Sequence, residues 1–247
     1  MSMPIPVNFP IRRLVDGLAR RLWPPVCLAC CGGGDTGAGR DLCPACFAAL
    51  PWHRHACAGC ALPLAAADTG ARCGACLIRR DAPLAEVRAV FAYTAPLDRL
   101  LPRFKFHQSL AAGRLLSSLM VSGLADAALS SADTVLIPVP LHRRRLAARG
   151  HDQALELARP LARALGLPLR HDLLWRCKHT GAQSRLDQAT RRRNLRDAFR
   201  VRGGAAPARV TLIDDVMTTG ATLEAAARAL RQAGVARVDA WVCARAA

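Results

Sequence analysis

At 247 residues the chain has room for one good α/β domain plus a smaller element, and its 52% hydrophobic content is ample for a core. The formal charge is +17, and all but two of the 35 basic residues are arginine, which excludes a charge-balanced surface and points to anionic partners, either small phosphates or nucleic acid. A general preference for arginine accounts for part of that excess. No apolar run reaches about eighteen residues, so no transmembrane segment is expected. Arg12, Arg13, Arg20 and Arg21 interrupt the first 25 residues, so no secretory signal is expected either, and the expected location is cytoplasmic.

Apolar residues at helical spacing predict a short helix over 11–22, stopped by Pro24 and Pro25. Four Cys-x-x-Cys knuckles follow: Cys27/Cys30, Cys43/Cys46, Cys57/Cys60 and Cys73/Cys76. Twelve residues separate Cys30 from Cys43, and twelve again separate Cys60 from Cys73, so the stretch is two copies of one unit. Each unit offers the four thiolates of a closed tetrahedral Zn2+ site and too few apolar residues for a core of its own, so structural zinc is expected at both. Two zinc centres, each with four ionised cysteines, would take the formal +17 to about +13, still strongly basic. Cys31, His53 and His55 are expected to be bystanders, and Cys177 and Cys243 ordinary small residues.

A boundary is expected near residue 82, dividing the chain into 1–82 and 83–247. Beyond it, strands are predicted at 87–93, 134–139, 169–175, 210–213 and 238–242. Helices are predicted at 96–106, 110–129, 152–165 and 223–233, the third closed by Gly166 and the last by Gly234. Five strands alternating with helices predict a parallel sheet with helices on both faces, whose ligands bind at the carboxyl ends of the strands.

The stretch 210–222 carries the most chemistry. An apolar strand runs into Asp214 and Asp215, then Val216, Met217, Thr218, Thr219, Gly220, Ala221 and Thr222, and then a helix. Backbone N–H groups and three threonine hydroxyls at a helix start suit a phosphate, and Gly220 allows close approach. The two carboxylates suit vicinal hydroxyls or Mg2+ held through water. Phosphate below and carboxylates above fit a ribose 5-phosphate.

The 134–139 strand empties into Arg143, Arg144, Arg145 and Arg149, a cluster suited to a pyrophosphate, or else a solvated basic turn. A second basic stretch, 178–200, holds Lys178, Gln183, Ser184, Arg185 and Arg193. It reads as a mobile lid, as a nucleic-acid-facing segment or as a solvated helix, and the sequence does not choose among them.

The 210–222 pattern resembles the 5-phosphoribosyl-1-pyrophosphate (PRPP) loop of type I phosphoribosyltransferases. With the knuckles, Pro138-x-Pro140, Arg149-Gly150-x-x-Gln153, Gln183-Ser184-x-Leu186 and Arg193-Asn194-Leu195, the chain from about residue 27 to 242 resembles the ComF family of competence-linked proteins. One departure is His151-Asp152, where that family usually carries Phe-Asn. The resemblance implies a type I phosphoribosyltransferase-like sheet preceded by a double zinc ribbon, and PRPP binding with Mg2+. It also implies a role in DNA uptake, with single-stranded DNA and competence-machinery proteins as partners.

Three functions follow. In a transferase, Asp214 and Asp215 serve the ribose, residues 218–222 the 5-phosphate, Arg143, Arg144 and Arg149 the pyrophosphate, and Lys178, Gln183, Ser184, Arg185 and Arg193 a lid. A nucleobase-salvage enzyme would also need an acceptor pocket, and the sequence offers only Trp241 for it. A single-strand-binding adaptor would need interleaved aromatics, which at 4% of residues are scarce.

Overall fold

The computed structural model describes residues 26–33, 36, 41–65, 71–79, 81–107, 109–129, 133–178, 195, 197–203 and 206–246. The helix expected over 11–22 lies outside the described residues, as do Gln183, Ser184, Arg185 and Arg193 of the expected lid. The chain forms two compact units, Met1–Ala49 and Leu50–Ala247.

The first unit holds the first pair of knuckles, with helix α1 (Pro44–Ala48) rising from Cys43, whose sulfur accepts from the N–H of Cys46 at 3.4 Å. The second unit begins with the other pair, where helix α2 (Gly74–Leu77) follows Cys73. The internal repeat is visible in the backbone. Cys27 N–H donates to Gly32 O at 3.0 Å and Cys57 N–H to Leu62 O at 2.8 Å, and the first knuckle of each pair turns through a left-handed residue, Cys31 at φ 60 and Ala61 at φ 52. Cys31 is thus the turning residue of its knuckle.

The second unit continues with strand β1 (Val87–Ala92), helices α3 (Leu97–Phe106) and α4 (Leu110–Leu129), strand β2 (Thr134–Pro138), and helices α5 (Arg143–Arg149) and α6 (Gln153–Leu165). Strands β3 (Leu174–Arg176), β4 (Phe199–Val201) and β5 (Arg209–Met217), helix α7 (Ala221–Gln232) and strand β6 (Arg237–Arg245) complete it. Four strands form a parallel sheet in the order β1-β6-β5-β2. Central β5 and β6 are buried along most of their length, as strands covered on both faces must be. Helices α4 and α6 pack on each other and on the sheet, while α7 packs on β5 and β6 with β4 beside it. A buried hydroxyl pair, Thr134 and Thr211 at 3.0 Å, links β2 to β5.

The strand expected over 169–175 shrinks to one parallel bridge, Leu136 to Leu169, held by Leu136 N–H to Pro168 O at 2.8 Å and Arg170 N–H to Leu136 O at 2.9 Å. The chain then leaves the sheet, and β3 pairs antiparallel with β4 as a separate ribbon. The stretch leading into the Cys57/Cys60 knuckle covers the opposite edge. Ala92 N–H donates to Pro51 O and His53 N–H to Val90 O, both at 2.9 Å, and the Trp52 and Phe91 rings lie 4.7 Å apart. An otherwise open edge strand is thereby closed to other chains.

Proline sits inside two helices, Pro102 in α3 and Pro160 in α6. Helix α3 is fixed by fully buried Phe104, which fills the space over Gly113 of α4. A Cβ on Gly113 would stand 2.6 Å from the Phe104 ring. Glycine to alanine inside a helix ordinarily stabilises by about 1 kcal/mol. Here the overlap reverses the sign: Gly113→Ala is expected to lower stability by roughly 1–3 kcal/mol. Thermal melts of the zinc-loaded protein check this, and an unchanged or raised Tm would show that α3 is not held by this contact.

Candidate functional site

Strand β5 does not stop before the two aspartates; it carries them. Asp214 and Asp215 are the sixth and seventh of its nine residues, at the carboxyl edge of the sheet. They open on a cavity of about 150 Å3, with Val139, Pro140 and Leu141 as its apolar wall. Four cations reach it from three elements: Lys105 from α3, Arg145 and Arg149 from α5, and Arg176 from β3.

Lys105 Nζ lies 3.1 Å from Asp215 Oδ1, and Asp215 is only 8% exposed. The carboxylates also bind backbone, with Asp215 N–H donating to Asp214 Oδ1 at 2.9 Å and Val216 N–H to Asp215 Oδ1 at 2.6 Å. Asp214 remains partly open to the cavity, yet burial pushes its carboxyl up to about 8. The adjacent Asp215 adds to that rise, and Lys105 opposes it. Burial likewise raises Asp152, and burial lowers Arg145 and Arg176.

The segment after β2 is built around Gly150 and Asp152. Gly150, at φ 77, closes α5, and Asp152 caps α6 by accepting from Leu155 N–H at 3.2 Å while its other oxygen accepts from Leu141 N–H, also at 3.2 Å. His151 anchors this turn to α3, with Nε2 3.1 Å from Phe104 O and the two rings 5.5 Å apart. Arg149 donates to Gln153 Oε1 at 2.8 Å, and its guanidinium lies 5.3 Å from the Phe106 ring centre. His151 and Asp152 thus serve as an anchor and a cap.

Of the sequence-predicted residues, Asp214, Asp215, Thr222 and Arg149 line the cavity, whereas Arg143 and Arg144 are exposed on α5 outside its lining. Residues 218–220 form the turn, Gly220 at φ 77 is the cap of α7, and Thr219 Oγ1 accepts from Ala221 N–H at 3.4 Å. The other N–H groups of the first turn of α7 have room for an anion. A Cβ on Gly220 would stand 2.6 Å from Met217 Cε. Lys178 is exposed just beyond β3. Arg145 of the arginine cluster also lines the cavity, and Lys105, Asp152, Gln153 and Arg176 are polar cavity residues that the sequence did not assign to a site, although Lys105 is one of only two lysines in the chain.

The cysteines fall into two groups, Cys27, Cys30, Cys43 and Cys46, and Cys57, Cys60, Cys73 and Cys76, with all sulfurs of a group within 4.8 Å of one another. Tetrahedral zinc with bonds of about 2.3 Å has sulfur–sulfur edges of roughly 3.8 Å. The separations Cys30–Cys43 at 4.0 Å and Cys60–Cys73 at 3.7 Å match that edge, so the donor sets fit the ion. His53 Nε2 lies 2.8 Å from Ala61 O and belongs to neither group.

A family model described as a double zinc ribbon domain matches residues 18–77, and one described as a phosphoribosyl transferase domain matches residues 151–247. Competence protein F of Haemophilus influenzae is 35% identical over 180 residues, covering 70% of this chain and 78% of its own length. DNA utilization protein YhgH of Salmonella typhimurium is 32% identical over 208 residues, covering 83% and 90%. Competence protein ComFC of Bacillus subtilis is 31% identical over 160 residues, covering 64% and 63%. Both four-cysteine groups are the metal sites of a double zinc ribbon, and among the described residues no helix is long and apolar enough to cross a membrane.

The Asp214 carboxyl gives a signed expectation. Between its unfolded value of 3.8 and about 8, the folded protein keeps a proton that the unfolded chain has lost. Stability therefore falls as pH rises through that window and levels off above it. Asp214→Asn removes the slope, so its Tm advantage over wild type should widen from pH 6 to pH 8. A Tm difference that stays constant with pH would contradict the raised value.

Proposed function

The chain belongs to the ComF family, and from that premise we propose that its cavity binds PRPP together with Mg2+, in the service of DNA uptake or utilisation. The relatives' names, competence and DNA utilization, support the cellular role, and the phosphoribosyl transferase match supports the ligand class. The observation that carries the reading is the meeting of adjacent Asp214 and Asp215 with four cations in one cavity, beside a helix that starts at a glycine cap.

In this reading residues 218–222 and the N–H groups of α7 hold the 5-phosphate, and Asp214 and Asp215 accept from the ribose hydroxyls. Arg145, Arg149 and Arg176 face the pyrophosphate. Asp214 and Asp215 are also the groups that would hold Mg2+ through water, and the ion would add positive charge beside the phosphates. Transfer breaks the bond from the anomeric carbon to the pyrophosphate oxygen, the electron pair leaving with pyrophosphate. A new bond then forms to an acceptor that gives up a proton. The carboxylates stabilise the positive charge at the anomeric carbon, and the arginines stabilise the negative charge on the leaving group.

The family's Gln-Ser and Arg-x-x-Asn-Leu segment, with Lys178, Gln183, Ser184, Arg185 and Arg193, is the proposed lid. Residues 1–82 are proposed as the metal-binding region and 83–247 as the ligand-binding region. Two sets of metal-binding thiols suit a reducing compartment, so the proposed location is the cytoplasm.

One observation favours a second reading, a single-strand-binding adaptor on the same scaffold. Trp175 is 41% exposed on the β3–β4 ribbon, opposite Arg200, with the Arg202 guanidinium 5.8 Å from its ring centre. Aromatics with arginines beside them suit stacked bases.

Calorimetry with PRPP and Mg2+ tests the first reading. Wild type should bind, Asp214→Asn/Asp215→Asn should bind at least about a hundredfold more weakly, and Lys105→Met about tenfold more weakly. Wild-type protein with zinc in place that does not bind PRPP would reject it. Titration with single-stranded DNA at two salt concentrations tests the second. Binding that falls steeply with salt, and weakens about tenfold or more in Trp175→Ala, would support the adaptor. Trp175→Ala binding as wild type does would reject a stacking role for that ring.

A further inference from the structure

The second zinc centre and the phosphate loop share the Leu50–Ala247 unit and face each other across a cavity of about 570 Å3. Cys60, Cys73 and Cys76 lie on one side, and Met217, Thr218 and Thr219 on the other. Arg79 and Arg245 also line it. A zinc ion held by four thiolates keeps two net negative charges, so cations beside it are favourable. Both of these cations also reach the loop.

Arg245, near the end of β6 and only 8% exposed, donates from Nε to the carbonyl of Cys60 at 3.0 Å and from Nη1 to the carbonyl of Met217 at 3.3 Å. It therefore joins the backbone of a zinc ligand to the residue at which the loop begins. Arg79 lies three residues beyond Cys76. Its Nη1 donates to Glu224 Oε1 at 2.8 Å, and Glu224 is buried in the first turn of α7, just past the loop. The two bridges thus fasten the loop before and after the turn that would hold a phosphate.

We propose that Arg79 and Arg245 are positioning residues that hold residues 217–224 in place from the second zinc centre, so that phosphate binding depends on metal at that centre. The consequence for ligand affinity rests on the phosphoribosyl reading; the consequence for the loop's order does not. A merely structural arginine would loosen the whole sheet when removed, whereas a positioning arginine loosens the loop alone.

Amide exchange on the zinc-loaded full chain separates these. Arg79→Met/Arg245→Met should keep its zinc and leave exchange along β6 unchanged. Its amides at 217–224 should exchange at least tenfold faster, and PRPP with Mg2+ should bind at least tenfold more weakly. Arg228→Met is the control. Arg228 holds the other oxygen of Glu224 at 3.1 Å from within the same helix, so its loss should leave loop exchange as in wild type. Stripping zinc from wild type should speed loop exchange as the double variant does.

Equal loop exchange in the zinc-loaded double variant and wild type would overturn the proposal, and so would equal acceleration in the loop and in β6. If the double variant fails to fold, Arg79→Met alone decides the comparison, since that side chain is 37% exposed. A wild type that does not bind PRPP would reject the phosphoribosyl reading, and the exchange comparison would still decide the loop's support.

Discussion

Two carboxylates on consecutive residues of a buried strand cannot both ionise without counter-charge, and the upper edge of the sheet is arranged around that constraint. Lys105 reaches Asp215 from α3 and also opposes the rise of the Asp214 carboxyl, while Arg176, on the separate β3–β4 ribbon, sits in the field of Asp214. The site is consequently a set of opposed charges, with Asp214 inclined to stay protonated because burial and the adjacent Asp215 outweigh Lys105. A ligand bringing hydroxyls to the carboxylates and phosphates to the cations would satisfy both sets at once, which neither a bare anion nor a neutral sugar does.

The segments that bear on this site differ in how far they could be read in the sequence. The zinc knuckles and the stretch 214–222 are local: spacing and residue type state their chemistry, and the structure brings the cysteines together in the expected fours. Helix α4 was legible to its ends, Leu110–Leu129, and the cap Gly166 closes α6. The arginine cluster is legible in the sequence only as a group, suited to a pyrophosphate or else a solvated basic turn, and not in which of its members face a ligand. In the helix that forms, Arg145 and Arg149 stand four residues apart on one face and line the cavity, while Arg143 and Arg144 rotate into solvent. Lys105 and Arg176 were out of reach for another reason. They arrive from elements more than thirty residues from β5 in sequence, and no local pattern announces which exposed-looking cation a fold will turn inward.

The same distinction separates the strand expected at 169–175 from the ribbon that exists. Leu169, Leu173, Leu174 and Trp175 have strand character, but whether such a run lies in a sheet is settled by its partner. Here a single bridge to Leu136 ends the pairing, and Phe199–Val201 takes over as neighbour. That exchange places Arg176 over the cavity, where a strand continuing along β2 would have carried it elsewhere.

The duplicated zinc unit shows how one local structure takes on different work through its surroundings. Cys31 and Ala61 turn the two knuckles through the same left-handed conformation, and the backbone hydrogen bonds around them repeat. The copies share cysteine spacing and backbone pattern, yet the second lies shortly before β1 and closes that strand's open edge through Pro51, His53 and Ala58. A segment too poor in apolar side chains to fold alone gains its order from metal, and backbone pairing to β1 extends that order into the sheet. Strand β1 pairs with β6, and β6 ends in Arg245, so the second cysteine group meets Met217, where the 218–220 turn begins, by two routes, through the sheet and directly through the arginine. A zinc centre joined to the sheet edge in this way is part of the sheet's own architecture rather than an appended module.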